Sequence, residues 1–242
     1  THPVKAIEGK SYGSIPHLPG SKRGPSDKGL GKEESARLTD PRSKHRQKGD
    51  TIAVQEKLDG SNVAVARIGG RLLAIGRRGY LAQTSPFKMH HLFAHWVREN
   101  EERFAWLQEG CRACGEWLAQ AHSTRYTLPH GPFVAFDIIT GKDKKNRPIR
   151  ETLAGVTAAC REAGLPTPHV IHQGEPLSTE DAMAKLGQGG HGAIEPPEGA
   201  VWRLENGGRH MLIAKFVRPE SEPGQLLPEM SGKPAVWNWR PL

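Results

Sequence analysis

Apolar and polar residues alternate along positions 51–57, where branched side chains dominate, and this period of two predicts a strand. Asp59-Gly60 then breaks the pattern as a turn. Residues 61–68 and 71–76 resume the alternation on either side of Gly69-Gly70 and predict a hairpin. Over residues 86–109 the period lengthens: Leu92, Trp96, Phe104 and Leu107 fall at helical spacing, which predicts one or two helices. Strand patterning returns at 112–119 and 133–139. A helix is expected over 152–163, ending at Gly164, then a short strand at 169–172 and a helix at 179–186 capped by Ser178. Residues 200–205 and 211–217 flank Asn206-Gly207-Gly208 as another hairpin. Because the strands come in hairpins, the expected class is α+β with antiparallel sheets, not a doubly wound parallel sheet.

The ends of the chain lack this regularity. Residues 1–50 hold Pro3, Pro16, Pro19, Pro25 and Pro41 among many glycines and basic residues, with one short helix expected at 33–38. They read either as a flexible tail or as a basic N-terminal arm lying along phosphates, although the apolar turn at 15–20 looks docked. Residues 51–220 form the expected core, and 221–242 a proline-rich tail whose Trp237 and Trp239 are expected to pack rather than to stack on bases.

Composition narrows the partners. Basic residues outnumber acidic ones 34 to 26, a net +8 that favours polyanions such as nucleic acid or nucleotides. No stretch approaches the ~20 apolar residues of a membrane span, and no secretory leader is evident at Thr1. Cys111, Cys114 and Cys160 cannot build a disulfide framework, which suggests a reducing, cytoplasmic setting. Cys111-x-x-Cys114 is half a metal site with no second pair at finger spacing, and His90, His91 and His95 lack the H-E-x-x-H pattern. The charged residues 142–147 read equally as a solvated loop or as contacts to a duplex backbone.

The most informative stretch is Glu56-Lys57-Leu58-Asp59-Gly60-Ser61-Asn62. A lysine closing a buried strand before a tight turn can have its amine held over a cleft. Burial and nearby cations would then favour the neutral amine that a nucleophile needs. Attack on phosphorus would give a covalent phosphoramidate. The competing reading is an ordinary strand-end lysine.

The order of short motifs further along the chain decides between them. Gly76-Arg77-Arg78-Gly79-Tyr80, Cys114-Gly115-Glu116-Trp117, residues 133–138 ending Phe136-Asp137-Ile138, Glu198-Gly199-Ala200-Val201-Trp202-Arg203 and Ile213-Ala214-Lys215 complete a series. The series resembles the ordered motifs of the covalent nucleotidyltransferases, which include polynucleotide ligases and capping enzymes. Asn62 and the G-E-W and F-D-I forms are most similar to ATP-dependent RNA ligases of the phage double-strand-repair type. His17-Leu18-Pro19-Gly20-Ser21 is similar to a segment ahead of the lysine in bacterial and phage relatives. One departure stands out: Ile213 occupies the place of the first lysine of the last motif, so one phosphate-facing cation is missing unless Arg203 or Arg218 substitutes.

The resemblance implies two antiparallel sheets with flanking helices, forming an adenylation domain around an ATP cleft. Lys57 would carry AMP. Glu56 would face the adenine edge, and Phe136 would stack on the ring or serve as a core aromatic. Glu116 would bind ribose or orient the lysine, and Glu198 would hold a metal or polarise the amine. Glu116 and Glu198 are thus the metal candidates, for Mg²⁺ or Mn²⁺. Lys215 would neutralise the α-phosphate, and Arg77 and Asn62 would position the sugar-phosphate. Asp137 either acts in the site or caps a turn. The implied partners are a nicked duplex or RNA ends, with an end-healing kinase or phosphatase alongside. A C-terminal domain common in this group is expected to be missing or trimmed. The alternatives are a DNA or hybrid nick ligase, a capping guanylyltransferase, or a catalytically idle nucleic-acid-binding module.

Overall fold

A computed structural model describes residues 2–241. Helix α1 (Lys32–Thr39) precedes β1 (Thr51–Lys57), β2 (Ser61–Ile68) and β3 (Arg71–Gly76). Next come α2 (Lys88–Glu99), β4 (Arg112–Trp117), β5 (Phe133–Lys142), β6 (Pro148–Arg150) and α3 (Leu153–Ala163). The remainder is β7 (Val170–Gly174), α4 (Thr179–Leu186), β8 (Gly199–Asn206), β9 (Arg209–Val217) and the one-turn α5 (Pro228–Ser231). The strands form two antiparallel sheets, ordered β7-β1-β8-β9 and β3-β2-β4-β5-β6. The α+β class with antiparallel sheets is therefore the observed one. Among the described residues no helix is long and apolar enough to cross a membrane.

Local chemistry sets the helix ends. The Thr152 hydroxyl accepts from the Gly155 amide, and Gly164 closes α3 at φ +68°. Ser178 caps α4 in the same way through the Asp181 amide. The long helical region divides: α2 stops at Glu99, and a short 3₁₀ turn, Glu101–Phe104, comes after it. Residues 142–147 are a charged, largely exposed loop, as expected. β5 runs on to Lys142 and pairs with β6, so they form the bend of a hairpin.

Each sheet has its own core. The outer face of the five-stranded sheet packs against α2 and α3 through Val63, Val65, Phe93, Trp117, Phe133 and Val156. Burying such side chains stabilises by about 1.5–3 kcal/mol each. Around Phe133, the rings of Phe93, Trp96 and Phe104 lie 5.5–5.9 Å away. On the four-stranded sheet, Ile52, Val54, Trp202 and Leu204 are covered by α4 and by Leu18 and Leu38 of the N-terminal segment. The docked turn expected at 15–20 is thus present, and the segment around it is tied into the core. Tyr12 joins a third cluster on the inner face of the five-stranded sheet. The tail docks too, with Trp239 against Trp117 at 5.7 Å and a bridge between Gln120 and Trp237.

The joint between the sheets sets where the chemistry-bearing side chains converge. β1 lies in one sheet and β2 in the other, so residues 58–60 carry the chain across. Gly60 is required there, because a Cβ would sit 2.5 Å from the Trp117 carbonyl oxygen. Gly199 is required opposite it: paired with Lys57 in the register, it would bring a Cβ 1.9 Å from the Phe216 carbonyl oxygen.

Candidate active site

Between the sheets lies a cavity of about 1030 Å³. Lys57, Glu56, Asn62, Arg77, Glu116, Phe136, Glu198 and Lys215, dispersed over 160 residues of sequence, all line it. The sheet register explains the convergence. Lys57 ends β1 beside the start of β8, which comes directly after Glu198, and Asn62 on β2 faces Glu116 on β4.

At the crossover the Lys57 Nζ donates to Glu198 Oε2 at 2.6 Å. Burial disfavours the ammonium, but the attraction of Glu198, Glu116 and Asp59 outweighs it and raises the lysine pKa. The neutral amine expected from burial and nearby cations is therefore not the state of this site: carboxylates hold the proton on. Glu198 is itself raised above the usual carboxylate range, burial prevailing over Lys57. Glu116 is pushed up to about 7, by burial and by repulsion from Glu198 and Asp59, against the pull of Lys57. Its Oε1 accepts from the Gly60 amide at 3.1 Å, so the crossover backbone holds it in place.

Asp59 is walled in. Its Oδ2 accepts from the Ser123 amide and hydroxyl, both at 2.7 Å, and from the Thr124 amide at 2.8 Å. Its own amide donates to the Tyr126 hydroxyl at 3.0 Å. The loop after β4 thereby clamps the turn that carries the lysine.

Another wall is set for a flat, hydrogen-bonding ligand. Glu56 is 1 % exposed, and its Oε2 accepts from the Gly190 amide at 2.8 Å. Its Oε1 has no partner, and burial raises its pKa. A buried acceptor without a donor in the protein is costly unless a ligand supplies one. Phe136 lines the cavity with its ring 4.9 Å from Tyr12, edge to face. Asp137, left open between a site role and a turn cap, is not among the residues that line the cavity. It is fully buried behind Phe136, receiving Arg150 at 2.5 Å and the Tyr12 hydroxyl at 3.0 Å, with Arg203 at 3.5 Å.

The cationic wall is thinner than the motif pattern predicts. Lys215 lies partly buried on β9, its pKa lowered by burial and then by Lys57. Ile213, two residues earlier on the strand, faces the same cavity. Arg203 is its direct cross-strand neighbour, but that guanidinium is engaged with the Glu151 and Phe136 carbonyls and with Asp137. Among the described residues the Arg77 guanidinium has one hydrogen-bond partner, the Ser14 hydroxyl at 3.3 Å. The His17–Ser21 stretch adds an edge to β9: the Leu18 amide donates to the Lys215 carbonyl at 2.8 Å, and the Lys215 amide to the Pro16 carbonyl at 3.0 Å.

Among the described residues no group of three or more His, Cys, Asp or Glu forms a metal cage. Two adjacent carboxylates with raised pKa values do fit a hard divalent cation, which would relieve their repulsion; Mg²⁺ commonly takes one or two carboxylates and completes its shell with water and phosphate. Sequence reasoning missed Tyr12 and His122, which also line the cavity, as does His90, which it had noted only as part of a histidine group on a helix. Tyr12 stands in an irregular stretch, and the histidines carry no motif.

A family described as RNA ligase matches residues 50–217, more than half of the chain. Comparison with curated proteins finds no match. Among solved structures, the chain is similar to a Naegleria gruberi RNA ligase variant with ATP and Mn: TM-score 0.55, 17 % identity, 88 % of this chain and 59 % of that one. It is similar to the same organism's RNA ligase with PPi: TM-score 0.53, 18 % identity, 88 % and 59 % covered. At this identity the likeness is one of fold, and the chain spans about three fifths of those proteins.

Proposed function

The chain belongs to the RNA ligase family, and from that premise we propose that it is an ATP-dependent ligase joining 5′-phosphate to 3′-hydroxyl ends through a lysyl-AMP intermediate. The observation that carries this reading is the Lys57 amine, 2.6 Å from a buried carboxylate in a cavity that also holds Phe136 and Lys215.

In this reading ATP enters with adenine on Phe136 and its exocyclic amine toward the unpaired Glu56 Oε1. Lys57 gives its proton to Glu198, the nearest acceptor, and attacks the α-phosphorus as pyrophosphate leaves. Lys215 offsets charge growing on the α-phosphate, a role that is strongest in a dry site. Glu116 and Asn62 hold the ribose side, and Arg77 the sugar-phosphate. The AMP then moves to a 5′-phosphate end, and a 3′-hydroxyl displaces it. Glu116 and Glu198 would hold Mg²⁺ or Mn²⁺, which supplies charge neutralisation at the phosphates.

The finer assignments belong to the same proposal. The motif forms favour the phage double-strand-repair type, acting on RNA ends or nicked duplex beside an end-healing enzyme. The three free cysteines favour a cytoplasmic setting. The exposed Lys22, Arg23, Lys28 and Lys32 of residues 1–50 would meet duplex phosphates. Ile213 favours a second reading, an idle binding module with this fold. Incubation with ATP or GTP labelled at the α-phosphate separates them. A covalent label from ATP, lost in Lys57→Ala, supports the ligase; no label from either nucleotide refutes it, and a label from GTP alone points to a capping activity.

A further inference from the structure

His122 lines the cavity from the loop that clamps Asp59, and none of the roles above uses it. Its place is rigid. The next two residues bond Asp59, and its own carbonyl accepts from the Leu226 amide at 2.7 Å. Its ring stands beside Ser61, Nε2 to Oγ at 3.4 Å. With the Ser61 hydroxyl donating to Met89 Sδ at 3.0 Å, Oγ offers a lone pair to Nε2–H, and this tautomer is the one on which the inference is built. In a neutral ring Nδ1 is then an acceptor, and among the described residues no donor reaches it. His90 and Phe87 line the same cavity, and Phe87 is 46 % exposed, so the cavity opens to solvent at Phe87.

We propose that His122 receives the acceptor strand's 3′-hydroxyl: Nδ1 hydrogen-bonds the hydroxyl and takes its proton as O3′ attacks the activated 5′-phosphorus. The O3′–P bond forms as the bond from phosphorus to AMP breaks. The electron pair leaves with AMP, and the proton passes from Nδ1 to water. The inference rests on the ligase reading. Burial keeps the ring neutral by lowering its pKa; Lys57 adds to this, while Asp59 and Glu229 oppose it. His90, the nearby ring, is lowered to about 4 and brings no competing charge at neutral pH.

The test separates the final transfer from the first. Wild type, His122→Ala and His122→Asn are assayed for lysyl-AMP formation from labelled ATP, and for sealing a nicked duplex whose 5′ end is already adenylylated. General-base removal predicts that His122→Ala loses sealing by about 10²-fold or more while lysyl-AMP formation stays within about threefold. Asn places an oxygen near the Nδ1 position but cannot take the proton, so it restores acceptor-end KM and leaves kcat low. Added imidazole raises sealing by His122→Ala alone. Unchanged sealing by His122→Ala overturns the proposal, as does equal loss of both activities, which would make His122 a structural support. If wild type forms no lysyl-AMP, the ligase reading itself fails, a distinct result.

Discussion

Replacing Glu116 by Gln should stabilise the protein while impairing its chemistry. Glu116 is pushed from an ordinary 4.5 to about 7, chiefly by burial. The folded state therefore holds a proton between those values that the unfolded state has released, and stability falls as pH rises through that window. At about 1.4 kcal/mol per unit, the full cost above pH 7 is at most about 3.5 kcal/mol. Gln keeps the oxygen that accepts from Gly60 and removes the charge. Thermal melts at pH 5 and pH 8 test this. The variant should gain several degrees at pH 8, at about 2–4 °C per kcal/mol for a chain of this size, and little at pH 5. Adenylylation should fall at both. A Tm at pH 8 equal to or below that of wild type would refute an unfavourable buried charge on Glu116.

Three more outcomes rest on packing. Asp137→Ala leaves Arg150 and Arg203 without their shared carboxylate, and the urea midpoint should reflect a loss of about 3–5 kcal/mol; an unchanged midpoint would contradict the network. Gly199→Ala forces β8 from β9 beside Glu198 and should cost about 3 kcal/mol together with most adenylylation, whereas normal activity would show that the pairing tolerates a Cβ. Deleting residues 2–45 removes the buried Leu18 and Leu38, worth about 1.5–3 kcal/mol each, so the melt should broaden or collapse. A wild-type Tm would show that the segment is a detachable arm.

Much of this architecture is legible because its signals are local. Gly69-Gly70, Asn206-Gly207-Gly208, Ser178 and Gly164 announce hairpins and helix ends within a few residues. β6 hides because Pro148 and its charged neighbours obscure a three-residue strand. The docking of residues 2–14 hides for another reason: Tyr12 meets Asp137 across more than a hundred residues, and single apolar positions carry no period, whereas the apolar turn at 15–20 is legible. Motif residues such as Lys57 and Glu198 are recognisable by their neighbours in sequence. His122 becomes visible only once Ser61 and Met89 fix its ring. The protonation state of Lys57 is equally hidden, since nothing in its own stretch shows that Glu198 and Glu116 gather around it.

The covalent step is tested most directly by mass spectrometry of the protein after incubation with ATP and Mg²⁺, with subsequent peptide mapping. A lysine nucleophile predicts one AMP per chain, bonded through an acid-labile phosphoramidate to Lys57 and released by added pyrophosphate. An unmodified chain, or AMP on any other residue, would contradict it.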